Sequence, residues 1–443
     1  MDPVEPAASE PTTNREGLVR AIGPFALGLA VVNLVVGGGI FVLPGVIAAE
    51  LGSAAILAYL VCSVAVALVF LCFAEVGSRV VRSGGSYAYV EDAFGPFIGF
   101  VASMLFWLGY SAAADAAITV AMIDVLGTVA PILTEPLPRA LFTISILAFL
   151  AVVNIRGVES GKRLYVFNTI AKLVPLLLLL VVGLFVIQAD HLVIGSWPSM
   201  AEIGAGAIIL FFAFSGAEGA LSASGEIKRP ARTVPLGLAL GIGCLLVLYI
   251  GLQTVAQGVL GDGLADQIDA PLTAVATEVF GQWGGQLLLV GLVFSIYGAV
   301  SGDMLGVPRV IFAAARDGSL PGALGRVHPR YRTPHVAIIF FASVVIALAL
   351  SGTFTYLAAV ATGSLLLIDL GVILAVLRLR SRDGLPAAHE FTLPLGPTIP
   401  LLGAAIVGWL LMQLPLAESA SVGVLIAVSA AYYVIRPRRR ARR

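Results

Sequence analysis

Long apolar runs separated by short polar segments make up most of this chain of 443 residues. Because an α-helix rises about 1.5 Å per residue, it needs about 20 apolar residues to cross the hydrocarbon core of a membrane. The runs are continuously apolar and do not alternate, so they predict membrane-spanning helices rather than the strands of a β-barrel. About twelve runs are present, centred on residues 22–48, 53–77, 95–129, 139–154, 164–188, 203–223, 236–259, 282–314, 335–351, 354–377, 398–415 and 419–435.

The composition agrees with this pattern. Apolar residues make up 59% of the chain and charged residues 12%, whereas soluble proteins have about 45–50% and about 25%. So few charges cannot cover the surface of a water-soluble protein. The same figures disfavour a disordered chain, a coiled coil and a nucleic-acid-binding protein. The cysteines, Cys62, Cys72 and Cys244, lie in apolar runs without paired spacing, so we expect neither disulfides nor a metal site.

The 26 basic residues are distributed unevenly between the predicted loops. If the amino terminus is cytoplasmic, 24 of them lie on the cytoplasmic side, Arg139 lies outside, and Lys172 lies within the fifth run. Cytoplasmic loops are enriched in Lys and Arg, and a miscounted span would reverse the pattern partway. The charges therefore predict twelve spans with both termini cytoplasmic. Residues 1–16 are expected to form a disordered cytoplasmic tail, because they lack the features of a signal peptide.

Glycine interrupts two of the apolar runs near their middle. Gly37, Gly38 and Gly39 follow one another in run 1, and Gly216 lies in run 6 close to a carboxylate, Glu218. Glycine is a poor helix former, by about 1 kcal/mol per residue relative to alanine, so both helices are expected to unwind there. Interrupted segments at matching positions of two halves indicate a transporter built from inverted repeats. Tight packing of helices around small residues is the alternative interpretation.

Such breaks have a direct chemical use. Unwound backbone leaves N–H and C=O groups without partners, which a membrane protein tolerates only where they line a cavity. The N-terminal end of a half-helix attracts a carboxylate, and free carbonyls attract a cation. A zwitterion satisfies both, so the paired breaks predict a site for one.

Further motifs appear in a recognisable order. They are Gly-Gly-Gly-Ile-Phe at 37–41, Ala-Glu-Val-Gly-Ser-Arg at 74–79 with Ser-Gly-Gly-Ser-Tyr at 83–87, Glu-Ile-Lys-Arg-Pro at 226–230, and Pro-Arg-Val at 308–310 with Arg-Asp-Gly at 316–318. In these motifs the chain resembles the amino acid–polyamine–organocation (APC) superfamily of secondary transporters. The resemblance implies the LeuT-type fold, a five-plus-five inverted repeat with helices 1 and 6 broken. The implied division is a tail at 1–16, repeats at 17–190 and 191–380, and two further spans with a basic C-terminus at 381–443.

The resemblance also implies where a substrate binds. Its carboxylate is expected at the backbone amides of residues 38–40, and its ammonium at carbonyls near Val35, Phe212 and Ser215. Gly38 departs from the family pattern, in which Ser or Thr is common at this position, so a hydroxyl contact is lost. The expected substrate site comprises Val35, Gly37, Gly38, Gly39, Ile40, Phe212, Phe214, Ser215 and Gly216.

Five residues in the spans are candidates for coupling or gating. The set is Lys172, Glu218, Phe41, Asp115 and Asp303. By the resemblance, Lys172 matches a lysine that takes the place of a sodium ion in related transporters; the alternative is that it snorkels to the membrane interface. Glu218 is expected to hold the second break open through hydrogen bonds to freed amides, with proton transfer as the alternative.

The aspartates leave two interpretations open. Asp115 and Asp303 each either complement a substrate cation or relay a proton, and Asp303 could instead pair with a polar neighbour. Asp124 and Asp369 are expected to be solvated, because we place them nearer the ends of their spans.

The expected function is secondary transport of amino acids by alternating access, proton-coupled or by exchange. An amine or polyamine carrier is the alternative, in which Glu218, Asp115 or Asp303 binds a cation. A membrane enzyme or a non-transporting receptor is disfavoured, because the four histidines lie in loops or at span edges. Residues 157–163 have the wrong spacing for a phosphate-binding loop. We expect an amino acid substrate and the lipid bilayer as partners, no cofactor or nucleic acid, and a prokaryotic inner membrane as the location.

Overall fold

The computed structural model describes residues 22–80, 85–156, 161–221, 227–387 and 390–436, and within these it describes no side chains for residues 161–167. The expected tail at residues 1–16 lies outside the described residues. Between Ile22 and Arg436, the described segments are helical apart from turns, loops and one backbone bridge, Ile22 to Ile227. The helices are α1 (Pro24–Val35), α2 (Gly39–Leu51), α3 (Ala55–Arg79), α4 (Ser86–Phe94), α5 (Pro96–Met104), α6 (Ala113–Val129), α7 (Pro136–Arg156), α8 (Gly161–Gly183), α9 (Met200–Phe214), α10 (Ala217–Leu221), α11 (Pro230–Leu260), α12 (Pro271–Phe280), α13 (Gln282–Arg316), α14 (His335–Ser351), α15 (Phe354–Asp383), α16 (Thr398–Met412) and α17 (Leu416–Ile435).

Each of the twelve predicted runs falls on one helix or on one interrupted pair of helices. The pairs α1–α2, α5–α6 and α9–α10 form spans 1, 3 and 6, and the other nine runs coincide with α3, α7, α8, α11 and α13 to α17. By length and composition, eight helical stretches of the described residues could cross a membrane, and five shorter apolar helices accompany them. The prediction of an all-α polytopic membrane protein is confirmed.

The third span is not a uniform α-helix. Gly95, with a φ of +87°, separates the short helix α4 from α5. The π-helical stretch Leu105–Ala112 then joins α5 to α6. π-Helical turns are rare and occur mostly at functional sites. This one places Tyr110 and Ser111 near the middle of the span.

Polar contacts link the ends of several spans at one end of the bundle. We call it the basic end, because Arg380 and Lys228 lie there. Arg380 of α15 donates from Nε and Nη2 to the two carboxylate oxygens of Glu75 on α3, at 2.7 and 2.5 Å. The Leu393 amide donates to the same carboxylate at 2.8 Å. The amide of Lys228, just before α11, donates to the Ile22 carbonyl before α1 at 2.9 Å. Spans 2 and 10, and spans 1 and 7, are therefore linked at this end.

The opposite end is closed over α2. A Cβ on Gly45 would lie 2.2 Å from the Gln267 carbonyl oxygen and 3.1 Å from the Pro271 side chain. Only a glycine allows the segment between α11 and α12 to pack so closely on α2. This segment also carries the acidic residues Asp262 and Asp266.

Candidate substrate cavity at the broken helices

The first span is broken where the sequence places its three glycines. α1 ends at Val35 and α2 begins at Gly39. A Cβ at position 38 would lie 2.8 Å from a side-chain carbon of Ile296 and 3.1 Å from the Cβ of Ile118. These two isoleucines fill the space beside Gly38, which gives a steric reason for the missing Ser or Thr.

Side chains from distant helices bind the freed carbonyls of this break. Lys172 of α8 is only 2% exposed, and its Nζ donates to the carbonyls of Asn33 and of Val36, the latter at 2.7 Å. The Ser295 hydroxyl of α13 lies 3.1 Å from the carbonyl oxygens of both Val36 and Gly37. Lys172 therefore does not snorkel; its charge is directed at the unwound backbone.

The second break is stabilised mainly by its own residues. α9 ends at Phe214, and Gly216 has a φ of +111°, a conformation that favours glycine. The Gly216 amide donates to Glu218 Oε2 at 2.9 Å, and the Ser215 hydroxyl donates to the Phe212 carbonyl at 2.5 Å. A Cβ on Gly216 would lie 2.9 Å from the carbonyl oxygen of Leu34 in α1, so the two breaks are in contact.

One tyrosine connects the two breaks. The hydroxyl of Tyr249 on α11 lies 3.2 Å from the Val35 carbonyl oxygen and 3.1 Å from that of Ala213. Its buried ring packs on Phe214, with 4.8 Å between the ring centroids. Neither Tyr249 nor Ser295 was predicted from the sequence. Their one signal is that each is a polar group inside an otherwise apolar run.

A cavity of about 290 Å³ lies where the breaks meet. Ten of the fourteen residues named from the sequence line it, namely Val35, Gly37, Gly38, Gly39, Phe212, Ser215, Gly216, Lys172, Asp115 and Asp303. The other four, Ile40, Phe41, Phe214 and Glu218, are buried in the packing outside the cavity wall. Lining residues that sequence reasoning did not assign to the site include Asn33, Asn154, Asn168, Ser111, Tyr297 and Ser301.

Two aspartates contribute negative charge to the wall. Asp115 is 2% exposed, and its Oδ2 has no hydrogen-bond partner among the described residues. Asp303 is half-buried and lies beside the Ser111 hydroxyl, close enough to Asp115 for their charges to interact. The remaining charged group on the wall is Lys172, among the lining residues that the structure describes.

The prediction that Asp369 is solvated is wrong. This residue lies midway along α15 with 0% exposure, and within the described part of the chain neither carboxylate oxygen has a hydrogen-bond partner. It is close enough to Glu218 for the two carboxylates to interact. The error arose from judging depth by the apolar run alone, since α15 continues to Asp383 and places Asp369 near its middle. Asp124 is half-exposed, and its carboxylate accepts a hydrogen bond from Arg139 at 2.6 Å.

The cavity lies on the side of the breaks that faces the basic end. Its wall uses Asn33 just before the first break, Gly219 just after the second, and the C-terminal half of α13 up to Leu305. On the other side, Phe212 packs edge-on against Phe354, with ring centroids 5.9 Å apart. Relative to the breaks, the cavity thus lies on the side toward the basic end, and side chains are closely packed on the opposite side.

An all-α membrane protein whose two broken helices meet at a cavity with charged groups on its wall belongs, by this architecture, to the class of membrane transporters. The family model described as amino acid permease matches residues 22–435. The chain belongs to this amino acid permease family, within the APC superfamily, which confirms the resemblance seen in the motifs.

Individual relatives extend over most of the chain. A serine/threonine exchanger, SteT, of Bacillus subtilis is 29% identical over 96% of this chain and 99% of its own length. A branched-chain amino acid permease, BcaP, of the same organism is 28% identical over 91% of this chain and 90% of its own. A cadaverine/lysine antiporter of Escherichia coli is 27% identical over 70% of each chain. The family and these relatives are transporters, and the membrane-spanning helices agree with that class.

Proposed function

We propose that the chain is a secondary active transporter that moves amino acids across a membrane by alternating access, driven by protons or by exchange. The observation that supports this most strongly is the meeting of two broken helices at one cavity whose wall carries Lys172, Asp115 and Asp303. Alternating access requires a site near the middle of the bundle that is closed on one side and accessible on the other. The close packing on one side of the breaks and the cavity on the other side match this arrangement.

The N-terminus of α2 suits the substrate carboxylate. α2 starts at Gly39, so the amides at the start of this 13-residue helix lack partners within it and carry its positive dipole end. Gly37, Gly38 and Gly39 face the cavity, where backbone can approach a ligand closely. The substrate carboxylate therefore binds at residues 38–40.

The substrate ammonium is placed between the two breaks, near Ser215. The Val35 and Phe212 carbonyls each already lie within hydrogen-bond reach of a protein hydroxyl, from Tyr249 and Ser215 respectively. A carbonyl oxygen has two lone pairs, and a backbone amide also donates to each of these oxygens, Gly37 to Val35 at 2.7 Å and Ser215 to Phe212 at 3.3 Å. The ammonium therefore binds these carbonyls by displacing one of the donors from the protein.

Lys172 provides the coupling step. While protonated, its ammonium fastens the Asn33 and Val36 carbonyls to α8. Loss of the proton weakens both bonds, because hydrogen bonds from a charged donor are roughly twice as strong as neutral ones. The first break is then free to move with α1, which changes access to the cavity.

The charge pattern orients the transporter. The basic end faces the cytoplasm, since 24 of 26 basic residues fall on the loops of that side. The cavity then opens inward, with both termini cytoplasmic. The moving units are the repeats at 17–190 and 191–380, and the membrane is the inner membrane of a prokaryote.

Uptake of radiolabelled amino acids into proteoliposomes tests the proposal. We expect uptake that rises with an imposed pH gradient, or exchange against an internal amino acid, and neither in protein-free liposomes. Absence of both uptake and exchange for all twenty amino acids would overturn the proposal.

An amine or polyamine carrier is the second candidate, and the two aspartates on the cavity wall favour it. Such a carrier needs no substrate carboxylate. Amines without a carboxylate would then compete fully with the transported substrate, whereas the amino acid proposal predicts that they compete weakly.

A further inference from the structure

The charges on the cavity wall do not balance for a neutral amino acid. Of the described lining residues, Asp115, Asp303 and Lys172 are ionisable, one amine against two carboxyl groups. The Lys172 ammonium is occupied by the Asn33 and Val36 carbonyls. A zwitterion adds no net charge, so with all three groups ionised one negative charge on the wall is left without a counterion.

Asp115 is built to receive a donor. It is buried on α6, faces the cavity, and has an oxygen, Oδ2, without a hydrogen-bond partner among the described residues. Leaving a buried charged group unsatisfied is costly, more so than an unsatisfied neutral group. Asp303 approaches from α13, so the two carboxylates face one space from opposite helices.

The position of the carboxylates fits a long side chain. Ile118 of α6 and Ile296 of α13 flank Gly38, and so mark the level of the first break. Asp115 precedes Ile118 by three residues and Asp303 follows Ile296 by seven, which places them about 4.5 and about 10 Å further along their helices. Both displacements run toward the basic end, and the cavity extends from the breaks in the same direction.

Aromatic side chains line the same cavity as the aspartates. Phe106, Tyr110 and Tyr297 all contribute to the wall. They offer apolar surface for methylene groups and ring faces that attract a cation. Bound by its carboxylate at the first break, an amino acid the length of lysine or arginine extends its side-chain cation toward the aspartates.

We propose that Asp115 and Asp303 form a subsite for the side-chain cation of the substrate, so that the transporter prefers amino acids with a cationic side chain. This rests on the proposed function and adds the class of substrate. The described residues contain no group of three or more His, Cys, Asp or Glu side chains that could hold a metal ion.

Three probes separate the subsite from the rest of the site. L-Lysine carries carboxylate, α-ammonium and side-chain ammonium; L-norleucine lacks the side-chain ammonium; 1,5-diaminopentane lacks the carboxylate. Binding of each to the purified full-length protein is measured by thermal shift, and transport by uptake into proteoliposomes. We expect the affinity for lysine to be at least about tenfold higher than that for norleucine, because norleucine lacks the hydrogen bond to a charged group.

Two variants and a matched control complete the test. Asp115→Asn and Asp303→Asn should each reduce lysine affinity about tenfold and leave norleucine affinity within about twofold. Asp124→Asn makes the same change on α6, at a carboxylate that is bonded to Arg139 and lies outside the cavity wall. It should leave both affinities unchanged. Melting temperatures of the ligand-free proteins identify any variant that loses binding through misfolding.

The outcomes distinguish this proposal from the proposed function. Transport of neutral amino acids without binding of lysine would overturn the cation subsite and leave amino acid transport intact. Sodium-dependent uptake of norleucine that lysine does not inhibit would also overturn it, by assigning the aspartates to a metal cation. Equal binding of lysine and 1,5-diaminopentane, lost in Asp115→Asn, would support the subsite and contradict the carboxylate site of the proposed function.

Discussion

The two helix breaks expose the same kind of backbone and stabilise it in different ways. At the first break, carbonyls are bound by Lys172 of α8, Ser295 of α13 and Tyr249 of α11. At the second, Glu218 and Ser215 bind backbone groups within three residues of themselves. A buried polar group left without a partner costs about 1–3 kcal/mol, so both breaks need partners. The hydrogen bonds of the first break depend on the positions of other helices. Those of the second break come mainly from residues within the break itself.

This difference indicates which break moves. A shift of α8, α11 or α13 changes the hydrogen bonds of the first break directly, whereas the second keeps its local bonds through the same shift. Tyr249 is the shared element, because one hydroxyl lies near a carbonyl of each break. Four variants test this contrast, and Lys172→Ala has the largest expected effect.

Lys172→Ala should reduce the rate of net transport much more strongly than it reduces the affinity for the substrate. The variant removes two hydrogen bonds from a charged donor, each worth about 1.5–3 kcal/mol, so we expect net uptake to fall about tenfold or more. Uptake into proteoliposomes gives the rate, and a substrate-dependent thermal shift gives binding. Lys228→Ala, at an exposed lysine of the basic end, is the matched control and should keep the wild-type rate. Wild-type uptake by Lys172→Ala would refute the coupling role.

Gly216→Ala should destabilise the protein and disturb the contact between the breaks. A side chain at a φ of +111° is strained, and its Cβ would lie 2.9 Å from the Leu34 carbonyl oxygen, so we expect a cost of about 2 kcal/mol or more. The melting temperature of the purified protein measures this. Gly243→Ala is the control, since it lies within α11 with no atom within 4 Å of the added carbon. Equal melting temperatures for the two variants would contradict the strained break.

The fold could be predicted in more detail than the site, for physical reasons. Crossing a bilayer requires about 20 apolar residues per span, and this length is written in the sequence. The breaks could be located because glycine destabilises a helix whatever the position of that helix in the bundle. Of the partners from other helices, Lys172 could be named because its charge lies within an apolar run, whereas Ser295 and Tyr249 could not. The residues next to Ser295 and Tyr249 in the chain are apolar, so no local pattern shows that these two hydroxyls meet the breaks.

The same limit applies to Asp369 and Glu218. One lies on α15 and the other on α10, and only the packing of those helices reveals that their carboxylates are neighbours. The roles of the cavity-lining residues stay predictions until the variants are measured. Their positions around one cavity are what the structure adds to the sequence.

Tyr249→Phe should have a moderate effect on both breaks. Removing the hydroxyl takes the shared donor from the Val35 and Ala213 carbonyls, at a cost of about 1 kcal/mol. We expect a lower melting temperature and slower net uptake, with the ring packing on Phe214 retained. Tyr59→Phe is the matched control, because Tyr59 is equally buried and its hydroxyl has no hydrogen-bond partner among the described residues. A larger loss in Tyr59→Phe than in Tyr249→Phe would contradict the bridging role.

Glu218→Gln should have the smallest effect, because the second break needs an acceptor at this position and not a charge. The glutamine carbonyl can still accept the Gly216 amide, and the loss is limited to the difference between a charged and a neutral acceptor, about 0.5–1 kcal/mol. Glu218→Ala removes the acceptor and should lower both the melting temperature and the uptake rate clearly further. The two variants are compared in proton-driven uptake and in exchange. Loss of proton-driven uptake in Glu218→Gln with exchange intact would assign Glu218, beside Asp369, to proton transfer. The second break would then be a site of coupling as well, and the contrast between a responsive and a self-contained break would no longer hold.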